Sequence, residues 1–381
     1  MSWLGIDSPV QLNPKWPKPE KDRLLSLSQQ FALKKHVWIA SSGSSSEPGE
    51  SVKLMALSEE AMLASADSVN QHLSASEKDI WIQALPVFHV GGLSIEARAY
   101  LSNSKVIPGV STDEKWSPHF YCQQIIKFKA TLSSLVPTQV YDLVHANLSA
   151  PKSLRAIVVG GSALSQEIHA RAIQLGWPLL ASYGMTECCS QIATAPLNQG
   201  LSLESQLKIL SHVKADLTAE GFLKIQSQSL LTGYAQWKNG GPHWTDPKID
   251  QWLITEDLAQ LPGGNLVVLG RGMDFVKISG EGVQLSRLQQ ELENIAQSQL
   301  TLSPFDFAIF AIMDARSENK IALAAKNPNS ELVKKLVESF NGKVAPYEKI
   351  QKVFTVSEIP RTELGKIARK KLAALISAKE N

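Results

Sequence analysis

The sequence predicts an α/β protein. A large N-terminal domain has a mostly parallel sheet with helices, plus a small antiparallel sheet or barrel, and a small α+β C-terminal domain follows it. Three observations predict this. Between residues 36 and 184, short apolar runs alternate with amphipathic stretches, the pattern of parallel strands joined by crossover helices. After Gly200 the amphipathic stretches vanish, and β-rich runs follow one another across Gly-Gly or Gly-Asn turns. From Gly282 a compact mixture of helices and strands completes the chain. The change falls within 270–274, which gives domains of 1–270 and 271–381.

Each element follows in order. Residues 1–36 are polar and dotted with prolines, and their best helical stretch is 22–33. HVWIASSG (36–43) is a strand entering a glycine/serine loop. Residues 58–73 form a helix with Ser58 as N-cap and with Glu59 and Glu60 in the first turn, where the helix dipole favours them. DIWIQALP (79–86) is a buried strand, 93–101 a helix, and 119–130 an amphipathic helix leading into the strand TLSSLV, which Pro137 ends. LRAIVVGG (154–161) is a strand, 165–175 a helix stopped by Gly176, and PLLASYG (178–184) the next strand. FLKIQSQSLLTGY, QWLITEDLAQL and NLVVLGR are short strands with no helix between them. A helix at 288–297, the strands FDFAIFAIMD and KIALAAK, a helix at 330–340, the strand KVFTV and a basic helix from Lys366 make the C-terminal unit.

Composition narrows the function. The 381 residues are 44% hydrophobic, enough for one large core and a smaller one. Lys and Arg number 38 against 36 Asp and Glu, so no basic stripe is available to neutralise a nucleic-acid backbone. No apolar run approaches the roughly 20 residues that span a bilayer, and the start lacks the apolar region of a secretory signal. Cys122, Cys188 and Cys189 cannot build a disulfide framework, and no CxxC marks a zinc site. The expectation is a soluble cytoplasmic protein without nucleic-acid or membrane partners, with a homodimer left open.

Several loops carry the residue types of nucleotide chemistry. Ser41, Ser42, Gly43, Ser44, Ser45 and Ser46 follow a strand, and small hydroxyl residues and glycine let a backbone approach a polyphosphate. They serve as well as a flexible linker, and they are not a Walker A loop. Gly160-Gly161-Ser162 and Tyr183-Gly184-Met185-Thr186-Glu187 end successive strands, at the carboxyl edge where open α/β sheets bind ligands. Together they offer an aromatic face, hydroxyls and a carboxylate for Mg²⁺; structural turns account for either one alone. His89, in LPVFHVGG, could contact a substrate or fill a structural place, and Arg98 could meet a carboxylate or a solvent ion pair. Asp257, Arg271 and Lys366 read equally as ligand contacts or as solvated charges.

In order, SSGSSSEPG, LPVFHVGG, VVGGS, YGMTE, TED, GRGMDFVKISGEGV and PRTELGK resemble the core motifs of the adenylate-forming acyl-CoA ligase superfamily. The likeness spans about Val37 to Leu372. LPVFHVGGLSIEAR, LSSLVPTQV, YGMTECCSQIAT and GEGVQLSRLQQELE narrow it to ligases that join o-succinylbenzoate to coenzyme A in menaquinone biosynthesis. The resemblance implies ATP, Mg²⁺ and coenzyme A as the small-molecule partners. It places Ser41–Ser46 on the β/γ-phosphates, and Tyr183 on adenine with Gly161, Ser162 and Gly184 alongside. A triphosphate also favours a full positive charge, and Lys53 is the nearest cation, to be read either as folding back to the phosphates or as a strand residue facing water. Thr186 would touch the α-phosphate, Glu187 would hold Mg²⁺, and Asp257 and Arg271 would bind the ribose. Lys366 would act in adenylation only, before the C-terminal domain rotates. His89 and Arg98 would meet the acid's second, aromatic carboxylate, His89 also serving the chemistry, with Ser133 as a wall residue. The chain departs from the pattern where Glu47, Pro48, Gly49 and Glu50 replace Gly-x-Pro-Lys, and where Met273 holds the hinge position. The region before Ser41 is also short, too short for a full sheet of its own. Two other readings stand beside this one: a ligase for another aryl or acyl acid, and a non-catalytic adenylate or acyl-CoA binder.

Overall fold

The computed structural model describes all residues except 1–8, 41–51, 112–114, 163, 165, 198–205, 239, 279–280, 301, 315–317, 327–329, 362–365 and 381. The Ser41–Ser46 segment with Glu47 and Glu50 therefore lies outside the described residues. The chain divides into two units. The larger holds 1–163, 168–255 and 259–268, and the smaller holds 164–167, 256–258 and 269–381.

Five parallel strands form one half of the main sheet, in the order Leu179–Met185, Ala156–Val159, Leu132–Leu135, Ile80–Gln83 and, at the edge, Lys105–Pro108. Ser190–Thr194 turns back antiparallel to Leu179–Met185, and the later strands Leu207–Ile209, Asn265–Arg271, Trp252–Gln260, Phe222–Ser227 and Val213–Leu217 extend the same sheet. The β-rich stretch after Gly200 thus continues the main sheet as well as adding to it. Buried on both faces, the central strands read as continuous apolar runs: all four residues of Ala156–Val159 are core.

The helices start where the sequence places their caps. Ser58 accepts from Ala61 N at 3.1 Å and opens Glu59–Leu73. Ser117 accepts from Phe120 N at 3.3 Å and opens Pro118–Phe128. The first helix runs Lys18–Gln29, a turn earlier than expected. Pro137–His145 is a further helix, with proline at its first turn, where the missing N–H costs nothing.

The short N-terminal segment completes a sheet with distant strands. Val10–Gln11, His36–Ala40 and Leu54–Ser58 are joined by the hairpin Gly233–Lys238 and Gly241–Thr245, with Leu54 opposite Ala235. The first helix covers one face, sealing Leu24 and Leu27 against Trp38, Leu54, Ala56 and Ala235. The expected lack of a sheet before Ser41 is met by borrowing strands.

The smaller unit packs around the three-stranded sheet Phe307–Asp314, Glu318–Lys326 and Ile350–Val356. Alternate residues take opposite faces. Phe307 and Ile309 face a core with Leu288 and Leu292 of Leu285–Leu300 and Leu336 of Ser330–Asn341. Ala308 and Phe310 face Leu372 and Ile376 of Arg369–Glu380.

Candidate active site

Two neighbouring parallel strands carry the nucleotide-type loops at their carboxyl ends. Ala156–Val159 runs into Gly160-Gly161-Ser162, and Leu179–Met185 carries Tyr183 and Gly184 and runs into the turn Thr186–Cys188. Glycine is required in the first loop twice over. A Cβ on Gly160 would stand 2.9 Å from Ser182 Oγ, and Gly161 has φ +94. Ser182 Oγ donates to the Val159 carbonyl at 3.0 Å, tying the two strand ends together. Gly184 is equally constrained, because a side chain there would run into the Ser190 carbonyl. Tyr183 is half-buried and packs beside a core that includes Cys188 and Ile192. Glu187 is half-buried too, and its carbonyl accepts from Leu231 N at 2.8 Å, which anchors the turn. Cys188 and Cys189 lie behind it, buried, with their thiols pushed well up by burial. They are inert packing residues.

The acyl-type residues sit on one helix, Val90–Ser102. His89 is its N-cap, buried, with its ring 4.7 Å from that of Phe88. Gly92 cannot carry a side chain, since a Cβ would meet the Pro86 carbonyl, and this lets the helix begin hard against LPVF. Arg98 is nine residues on, half a turn out of phase with His89 and roughly 13 Å further along the axis.

Arg98 is the unusual member. It is 1% exposed. Its Nη1 donates to Ser134 Oγ at 3.4 Å and its Nη2 to Ser190 Oγ at 3.3 Å, and its guanidinium lies 5.6 Å from the Trp81 ring centroid. Its Nε has no hydrogen-bond partner, and no carboxylate among the described residues pairs with it. Burial alone draws its pKa down to about 9. Ser94, one turn before Arg98 on the same face, donates to Ser190 Oγ at 3.3 Å. Ser190 has φ +108 and follows Cys189 at φ +52, two consecutive non-glycine residues in the left-handed region. Ser94, Ser134 and Ser190 were absent from the sequence expectation. Ser133, which was in it, is buried in the sheet: its hydroxyl accepts from Tyr121 at 2.7 Å and donates to the Ile82 carbonyl at 3.3 Å. Its neighbour Ser134 is the one that reaches Arg98.

The remaining predicted residues fall as follows. Lys53 has its ammonium 4.8 Å from the Tyr234 ring centroid. In the smaller unit, Asp257 is buried and pairs with Arg271 at 3.4 Å. Also in the smaller unit, Lys366 is exposed beside an isolated antiparallel bridge between Arg361 and Ile367. Among the described residues no three His, Cys, Asp or Glu side chains cluster as a metal site, and no helix is long and apolar enough to cross a membrane. A polar cleft of about 690 Å³ lined by His212, Lys214, Gln226 and Lys248 contains none of the predicted residues. Its Lys248 is spent on the carbonyls of Leu231 and Thr232.

Residues 37–229 match the sequence model of a family described as AMP-binding enzyme. The chain is 27% identical over 325 residues to the 2-succinylbenzoate–CoA ligase of Staphylococcus epidermidis, covering 81% of this chain and 64% of that protein. It is 29% identical over 311 residues to the enzyme of the same name from Lactococcus lactis subsp. lactis, covering 79% and 63%. The chain thus spans a little under two thirds of the length of these curated relatives. Its fold is similar to that of o-succinylbenzoate CoA synthetase from Bacillus subtilis in complex with its acyl-adenylate intermediate. The TM-score is 0.75 at 23% identity, over 88% of this chain and 68% of the other. It is also similar to ATP-bound MatB from Rhodopseudomonas palustris, with TM-score 0.74 and 19% identity over 91% and 69%.

Proposed function

This chain belongs to the AMP-binding enzyme family, and from that premise we propose that it joins o-succinylbenzoate to coenzyme A through an acyl-adenylate. Arg98 carries the choice of substrate. A buried cation without a counter-ion costs several kcal/mol, and among the described residues its side-chain hydrogen-bond partners are hydroxyls at long range. A ligand carboxylate would supply the missing charge. o-Succinylbenzoate has one carboxylate to activate and a second, aromatic one for this guanidinium. Relatives 27% and 29% identical bear the name of that activity.

In the first half-reaction a carboxylate oxygen attacks the α-phosphorus of ATP and pyrophosphate leaves. In the second the coenzyme A thiol attacks the acyl carbon and AMP leaves. No protein nucleophile is needed; the protein orients reactants and neutralises charge. Tyr183 offers its ring to adenine, with Gly161, Ser162 and Gly184 alongside, and Thr186 presents its hydroxyl to the α-phosphate. Asp257, held by Arg271, accepts from the ribose hydroxyls. Glu187 suits Mg²⁺, which is commonly held by one or two carboxylates and the substrate phosphates; when bound, the ion supplies charge neutralisation. Ser41–Ser46 would cradle the β/γ-phosphates. Lys53 would join them by leaving the Tyr234 ring, a contact worth on the order of 1 kcal/mol. His89 would contact the acid alongside Arg98. Lys366 bridges carboxylate and α-phosphate during adenylation. An enzyme that uses ATP and coenzyme A would work in the cytoplasm.

Pyrophosphate exchange tests the reading. Exchange dependent on o-succinylbenzoate is expected, and Lys366→Ala should abolish it while sparing thioester formation from supplied acyl-adenylate. Exchange with another aryl or acyl acid alone would overturn the substrate. No exchange with any acid would point to a non-catalytic binder.

A further inference from the structure

The described residues flanking Lys366 are tied within their own unit. Ala368 N donates to the Pro360 carbonyl at 2.8 Å, next to the bridge between Arg361 and Ile367. Arg361 Nη2 donates to the Pro304 carbonyl at 3.4 Å, and its guanidinium lies 5.0 Å over the Phe305 ring. Arg369, three residues after the lysine, makes two divergent contacts. Its Nη1 meets Asp274 Oδ1 at 2.7 Å, and its Nε donates to the Ile309 carbonyl at 3.1 Å.

Ile309 belongs to Phe307–Asp314, an edge strand whose outward backbone groups need partners. Gln289 satisfies the other one: its Oε1 accepts from Ile309 N at 2.7 Å, while its Nε2 donates to Glu293 at 2.8 Å. Burial pushes the Glu293 carboxyl up, and the Gln289 bond and the charges of Arg361 and Arg369 act against that rise. The positive charges of both arginines flanking Lys366 thus act on one half-buried acid. Asp274 closes the turn Gly272–Asp274, near the start of the unit.

We infer that Arg369, oriented by Asp274, is a positioning residue for Lys366. It fixes the base of the lysine's segment to the edge strand on one side and to the opening turn of the unit on the other. This rests on the reading of Lys366 as the adenylation lysine. An exposed lysine on a long flexible stem acts only if its backbone is placed correctly, and a misplacement of about 1 Å can cost about 10²-fold in rate. A role confined to covering the strand edge would need the Ile309 contact but not Asp274.

Asp274→Asn removes the charge and leaves the Ile309 contact; Arg369→Gln removes the cation; Arg369→Lys keeps it. Four readouts apply to each variant: pyrophosphate exchange, thioester formation from supplied acyl-adenylate, melting temperature, and hydrogen exchange at the Ile367 and Ala368 amides. Expected in Asp274→Asn and Arg369→Gln are a roughly tenfold or greater loss of pyrophosphate exchange and thioester formation within about twofold of the parent. The two amides should exchange faster, and Arg369→Lys should recover part of the loss. Parallel loss in both half-reactions, or unchanged amide exchange, overturns the inference. Should the parent protein exchange pyrophosphate with no acid while the amide effect persists, the ligase reading fails and the positioning stands.

Discussion

A guanidinium sealed from water by serines and an indole sets the behaviour of Arg98 at the level of a single residue. Arg98→Ala should raise the KM for o-succinylbenzoate far more than that for ATP, since losing one partner of a desolvated charge pair costs about 2–5 kcal/mol. Equal changes in both constants would make Arg98 structural. The pH dependence has a definite sign. With its pKa drawn down to about 9 in the folded chain, Arg98 binds its proton less tightly there than when unfolded. It therefore opposes folding up to about pH 9, and that penalty fades as pH rises further. A carboxylate ligand needs the proton in place, so affinity for o-succinylbenzoate should be flat below pH 9 and then fall by about tenfold per unit. Titration calorimetry across pH 7.5–10, with ATP as control, checks it; no inflection in that range would refute it. Arg98 is marked as a candidate in the sequence, because EAR follows LPVFHVGG. Its surroundings are not. Ser190 is 92 positions away, and a hydroxyl aimed by a strained φ leaves no trace in composition or periodicity.

At the scale of elements, local chemistry was legible and pairing was not. Ser58, followed by two glutamates and an amphipathic run, specifies its helix within a few residues, and the cap bond is there. Ser58→Ala should lower stability by about 1 kcal/mol, visible as a lower urea midpoint with unchanged slope; an unchanged midpoint would show that the cap is dispensable. After the apolar run TLSSLV, Pro137 reads as the end of a strand, yet it opens the helix Pro137–His145. Gln139 held the missed clue, for its Oε1 accepts from Val136 N at 3.1 Å and closes the first turn. Lys105–Pro108 was overlooked because a strand of four residues ending in proline has little apolar signal, and its place comes from Ile80–Gln83 alongside.

For the whole molecule, the sheet shared between the N-terminal strands and the Gly233–Thr245 region makes the first helix structurally necessary. Deleting residues 1–29 would strip Leu24 and Leu27, both essentially unexposed, from Trp38, Leu54 and Ala235. Buried leucines truncated to alanine alone cost about 2–5 kcal/mol each, against a total of roughly 5–15 for a typical protein. Such a truncation should cut soluble yield sharply and lower the melting temperature; an unaltered melting curve would show the helix to be an ornament. The same sheet also bears on synthesis. Leu54–Ser58 leaves the ribosome with only His36–Ala40 to pair with, and its other edge waits for Gly233–Lys238. At roughly 5–20 residues per second that wait is on the order of ten seconds. A growing chain with an unpaired, tryptophan-bearing ribbon is a natural client for a chaperone, and codon changes that slow translation between the two regions would lengthen its dependence.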